Sequence, residues 1–116
     1  PPPSRRATDG GAGRGRSYTT EAALDIAHLQ AEIEATYGAR DRARGAEAAF
    51  LWFVEEVGEL AEAIRRGTPA ERNLEFGDVL AWLATLASLH GVDLDRAAAR
   101  FADGRPKCGP RPCACP

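Results

Sequence analysis

Glu75 and Asp78 are the only charged residues in the stretch Leu74–His90 (LEFGDVLAWLATLASLH), and their spacing of three puts both carboxylates on one side of a helix. On a helical wheel Glu75 falls between Trp82 and Leu86, and Asp78 lies near Leu74 and Leu89. A helix that is apolar on nearly all sides is a buried helix. Each carboxylate taken inside carries a penalty on the order of several kcal/mol unless positive charge offsets it. A second acidic set precedes it: Glu55, Glu56, Glu59 and Glu62, in the run EEVGELAE. Their directions differ. Glu55 and Glu62 point away from the apolar arc of their helix, toward water, as most acidic helix faces do. Glu56 lies about 40° from Leu60, at the edge of that arc. Glu59 shares a stripe with Trp52, Glu56 and Ala63. Two antiparallel helices that each offer acids three residues apart can converge four carboxylates, Glu56, Glu59, Glu75 and Asp78. All-oxygen acidic ligation of this kind suits hard divalent ions, Mg²⁺ or Mn²⁺. A di-iron bundle site would need Glu-x-x-His pairs, and neither His28 nor His90 occupies such a position.

The elements that must position these acids are helical. Ala22, Ile26, Leu29, Ile33 and Tyr37 recur at helical steps behind a Thr20 N-cap, which predicts a first helix from about Glu21 to Tyr37, stopped by Gly38. The polar segment GARDRARG then reads as a loop. The second helix is expected from Ala46 to Arg66, with Phe50, Phe53, Val54, Val57, Leu60, Ala61 and Ile64 as its core face and Gly67 as its stop. Thr68-Pro69 opens the third, which runs to about His90. Asp93 or Asp95 caps a short fourth helix to about Ala102. No strand alternation appears. The expected fold is all-α: an antiparallel bundle of three long helices plus a short fourth, completed by dimerisation because three helices make a thin core.

Residues 1–17 (PPPSRRATDGGAGRGRS) lack the apolar content to offset chain entropy and read as a disordered arm. Residues 18–103 form the domain, and 104–116 a Cys- and Pro-rich tail. A net charge of −2 argues against a nucleic-acid binder, which needs a basic excess. There is no apolar run long enough for a membrane span, and no apolar segment follows the charged N-terminus as in a secretory signal. The expected location is cytoplasmic.

Glu55-Glu56-x-x-Glu59 followed by Glu75-x-x-Asp78, within FLWFVEEVGELAEAIRRG and NLEFGDVLAWLATLA, is similar to the signature of MazG-like nucleotide pyrophosphohydrolases. The resemblance spans roughly Thr20 to Phe101. It implies an all-α homodimer or homotetramer that cleaves nucleoside triphosphates between the α and β phosphates, with Glu56, Glu59, Glu75 and Asp78 as Mg²⁺ ligands. Glu55 or Glu56 would accept the proton of the attacking water. Trp82 and Trp52, one turn from Asp78 and Glu56, are candidates to stack on the nucleobase, with core packing as the alternative for each. Arg42, with Arg40 and Arg44, is a candidate for the phosphates. Many relatives carry Asn where this chain has Thr85. Cys108, Cys113 and Cys115 resemble the C-terminal knuckle of some short MazG-like proteins, with Arg105 in place of a further Cys. A structural Zn²⁺ wants four ligands, so these three leave one place for water, His90 or a neighbouring chain; the alternative is a loose, oxidisable tail. Two other functions stay open: phosphoribosyl-ATP pyrophosphohydrolysis, and a non-catalytic metal-binding helical interaction module.

Overall fold

The computed structural model describes residues 24–102 and 108–116, so the Thr20 cap and the 1–17 arm lie outside the described residues. Four α-helices follow one another: α1 (Ile26–Arg44), α2 (Ala46–Arg66), α3 (Pro69–Leu89) and α4 (Leu94–Ala98), the last continued by a 3-10 turn at Ala99–Phe101. No strand occurs among the described residues. The all-α expectation is met, and the ends of α2 and α3 agree with the sequence reading to within a residue.

Local chemistry sets those ends. Asp25 caps α1 by accepting from the His28 N–H at 2.8 Å. A reciprocal box starts α3: Glu71 N–H donates to the Thr68 hydroxyl at 3.1 Å, and Thr68 N–H donates to Glu71 Oε1 at 2.8 Å. Asp93, the first of the two caps expected, opens α4 by accepting from Asp95 and Arg96.

Helix α1 departs from expectation. Gly38 does not stop it, and the segment read as a loop is its last two turns. A glycine inside a helix costs about 1 kcal/mol against alanine, but here its missing Cβ leaves room for the Glu34 carboxylate, which would otherwise collide with it. The true stop is Gly45, whose φ of +92° is open to glycine and strained for other residues.

Helix α3 is central, with α2 packed along it most extensively and α1 next. The two-residue connection Gly67–Thr68 folds α2 back against α3 as an antiparallel hairpin. Gln30 ties α1 to the far end of α3: its amide donates to Ser88 Oγ at 3.1 Å and the Val92 carbonyl at 2.8 Å, and its oxygen accepts from Leu94 N–H at 2.9 Å.

The face that α2 turns inward is not the one expected. Phe50, Val54, Val57 and Ile64 of the apolar arc are all more than two-fifths exposed, while the buried residues are Ala49, Glu56 and Ala63. The acid-bearing stripe packs on α3, and the small side chains buried on it beside Glu56, Ala49 and Ala63, leave room for a close approach. On α3, Leu74, Phe76, Leu80 and Leu83 are likewise exposed. No helix among the described residues is long and apolar enough to cross a membrane.

Candidate metal centre

Because the stripe of α2 that holds Ala49, Glu56 and Ala63 turns inward, acids of α2 and α3 meet. Glu56 from α2 and Glu75 and Asp78 from α3 each bring a carboxylate oxygen to within 4.8 Å of the others. Glu56 is fully buried, Glu75 is 5 % exposed, and Asp78 is half-buried. Three carboxylates held this close repel when ionised, and a hard divalent cation among them would offset the repulsion. The all-oxygen donor set and its seclusion from bulk water therefore fit Mg²⁺ or Mn²⁺. Glu59, half-buried, lies outside this trio. It lines an adjoining cavity of about 190 Å³ together with Glu62, Ala63, Arg66, Gly67, Glu71 and Glu75. Arg66 is the one cation among the described residues of that wall, paired with Glu62 at 3.0 Å.

The antiparallel helices stack their side chains in layers, and on the side of the trio away from that cavity the next layer is aromatic. Trp82 follows Asp78 by one turn of α3, and Trp52 precedes Glu56 by one turn of α2. Their rings stack with centroids 5.9 Å apart and planes 10° from parallel. The Arg44 guanidinium lies over the Trp82 ring, 5.3 Å from its centroid. Asp41 fixes that guanidinium: its Oδ1 accepts from Arg44 Nη1 at 3.3 Å, and its Oδ2 accepts from the Thr85 hydroxyl at 3.0 Å. Asp41 and Thr85 are both nearly inaccessible. The Trp82 indole N–H is also buried, and has no acceptor among the described residues.

The residues singled out from the sequence thus separate. Glu56, Glu75 and Asp78 come together, with Glu59 on the cavity wall. Glu55, 100° round the helix from Glu56, is exposed. Trp82 is only 2 % exposed and spends its ring on Trp52 and Arg44, whereas Trp52 keeps 39 % of its surface open. Arg42 lies on the outer side of α1, paired with Glu34, and Arg44 is the arginine that reaches the aromatic layer. Asp41 escaped the sequence reading because Gly38 was taken as a helix end. The signal was present: the stripe Ile33–Tyr37, carried on one further step of four, falls on Asp41.

In the tail, the three thiols of Cys108, Cys113 and Cys115 also lie within 4.8 Å of one another. Cys108 and Cys113 sulfurs are 3.4 Å apart, and Cys115 N–H donates to Cys113 Sγ at 3.3 Å. A backbone hydrogen bond from Ala114, helped by the Cys113 side chain, holds the Cys108 thiol below its ordinary pKa.

Comparison with curated proteins finds none that matches the chain. Residues 44–106, more than half of the sequence, match the MazG nucleotide pyrophosphohydrolase domain, and that span holds the Trp52–Trp82 stack and every acid of the trio. With its helical hairpin and its acid pairs in register across it, this chain belongs to the MazG nucleotide pyrophosphohydrolase family.

Proposed function

We propose that the chain hydrolyses nucleoside triphosphates (NTP or dNTP) between the α and β phosphates, in the presence of Mg²⁺, to give a nucleoside monophosphate and pyrophosphate. The observation that carries this reading is the buried trio Glu56, Glu75 and Asp78, convergent across the α2–α3 hairpin of a family member. These three would hold the ion, and Glu59 would complete the ligand set from the cavity side. When bound, a divalent ion offsets phosphate charge and lowers the pKa of the attacking water. Of the two acids open as proton acceptor, Glu56 lies within the trio and Glu55 does not, which supports Glu56. The cavity is too small for a whole nucleotide, since sites for drug-sized ligands run to about 300 Å³ or more. At about 190 Å³ and walled by Glu59, Glu62, Glu71 and Glu75, it would take a phosphate group only alongside bound cations. The nucleoside would lie on the opposite side of the acids, toward Trp52.

We assign the exposed apolar faces of α2 and α3 to a second copy of the chain. The fully buried apolar residues described are five alanines and Trp82, a core too small for the large side chains left outside. A symmetric pairing that sets the Phe50–Ile64 arc and the Leu74–Leu83 face against their copies would bury them. The Cys108, Cys113 and Cys115 thiols suit Zn²⁺, with the fourth position supplied from outside the trio.

A panel of NTPs and dNTPs with Mg²⁺, scored for pyrophosphate against single phosphate release, tests the activity. Pyrophosphate as the product, lost in Glu59→Ala with the helical signal intact, supports it. Phosphate release alone, or turnover unchanged in Glu59→Ala, refutes it and leaves a helical interaction module.

A further inference from the structure

Residues 108–116 (CGPRPCACP) lie beyond the span matched to the family, and their three thiols converge. The backbone between the first two brings them together. Gly109 has a φ of +85°, open to glycine and strained for other residues, and it turns the chain directly after Cys108. Pro110 and Pro112 fix two further φ angles, so few conformations of this loop let its ends part. The Cys108 and Cys113 sulfurs sit 3.4 Å apart, in van der Waals contact. Closing a disulfide between them needs no large movement of the chain. The Cys115 N–H donates to the same Cys113 sulfur at 3.3 Å, which holds the following residues against it. Cys113 and Cys115 are exposed and Cys108 is half-buried, so a small molecule reaches the pair from solvent.

We infer that Cys108 and Cys113 are a reversible redox pair, closed by a small-molecule disulfide of the glutathione class, and that closure empties the tail of metal. One sulfur of the pair, as thiolate, displaces a thiol from the small disulfide and is left as a mixed disulfide. The other then attacks that protein sulfur, forms the Cys108–Cys113 bond and expels the second thiol. Two electrons and two protons pass from the cysteines to the oxidant, which leaves as two thiols. Excess thiol runs the sequence backwards. The closed form keeps one thiol, Cys115, and one thiol cannot hold an ion that wants four ligands. The loss of metal rests on the Zn²⁺ reading of the tail; the pairing of the two sulfurs does not.

The full chain, reduced and stripped of metal with EDTA, is equilibrated in mixtures of oxidised and reduced glutathione, quenched with acid and weighed by mass spectrometry. Trypsin cuts after Lys107 and spares Arg111, which precedes a proline, so all three cysteines stay on one peptide and serine variants assign the pair. Cys115→Ser should lose two hydrogens, as the native chain does. A thiol held beside a mixed disulfide by a short link acts at an effective concentration on the order of millimolar. At about 0.1 mM reduced glutathione the closed form should therefore exceed the mixed disulfide about tenfold. Cys108→Ser and Cys113→Ser each lack one member of the pair and should accumulate the glutathione adduct instead. A native chain that stays reduced, or carries only adducts, overturns the inference. So does closure in Cys108→Ser or Cys113→Ser as ready as in Cys115→Ser. Loaded first with Zn²⁺, the reduced native chain should resist closure until the metal is chelated. Closure at an unchanged rate with Zn²⁺ present refutes the Zn²⁺ reading, and with it the loss of metal, while the redox pair stands.

Discussion

Glu75→Gln should make the metal-free protein more stable and the Mg²⁺-loaded protein less so. The substitution is nearly isosteric, so it removes a charge without opening a cavity. Two carboxylates 4.8 Å apart, the outer limit within the trio, repel by about 3.5 kcal/mol at an effective dielectric constant near 20. Glu75 faces two such neighbours. Local rearrangement and the other groups around the trio relieve part of this in the absence of metal, so the expected net gain is about 1–2 kcal/mol. For a domain of this size about 1 kcal/mol moves the melting temperature by 4–8 °C, and the variant should melt about 5–10 °C higher in EDTA. With Mg²⁺ at about a hundred times its dissociation constant the native protein gains about 2.7 kcal/mol, and the variant, short of one of three convergent ligands, should gain little. The order of the two melting curves, followed by circular dichroism, therefore reverses between EDTA and Mg²⁺. A variant that melts below the native protein in EDTA and responds to Mg²⁺ equally would show that Glu75 is an ordinary satisfied polar residue.

Three further outcomes are expected. Leu80→Glu places a charge on the exposed α3 face and should convert a dimer to a monomer in light scattering at equal concentration; a native chain already monomeric would dismiss the second copy. Thr68→Ala removes one half of the α3 box and should cost about 1 kcal/mol, read as a fall of about 4–8 °C in melting temperature. An unchanged melting temperature would mean that the box contributes nothing. In metal-free protein, Cys108 should alkylate with a half-maximal pH below that of a free cysteine peptide. The lowered pKa keeps the reactive thiolate populated as the pH falls through the ordinary thiol range, and mass spectrometry of the modified tail decides it.

Much of the architecture was legible in local chemistry. The Thr68-Pro69 start and the Gly67 stop of the hairpin depend on neighbours in sequence, and both lie where the residues put them. The pairing of Glu75 and Asp78 follows from helical periodicity and from the absence of other charge around them. Gly38 misled, because a glycine reads as a stop unless one knows that the Glu34 carboxylate occupies the space a Cβ would take.

What the residues alone determined, then, is that three long helices form and that two of them carry acids on a common stripe. Which side of α2 turns inward was decided only by tertiary packing. Amphipathic patterning reports which surface avoids water, not which neighbour covers it. Here Ala49 and Ala63 are buried with Glu56 on one face of α2, while Phe50, Val54 and Ile64 face out. Tertiary packing likewise joins Asp41 to Thr85 and Arg44 to Trp82: side chains separated by as many as 44 positions become neighbours only when α1 is laid against α3.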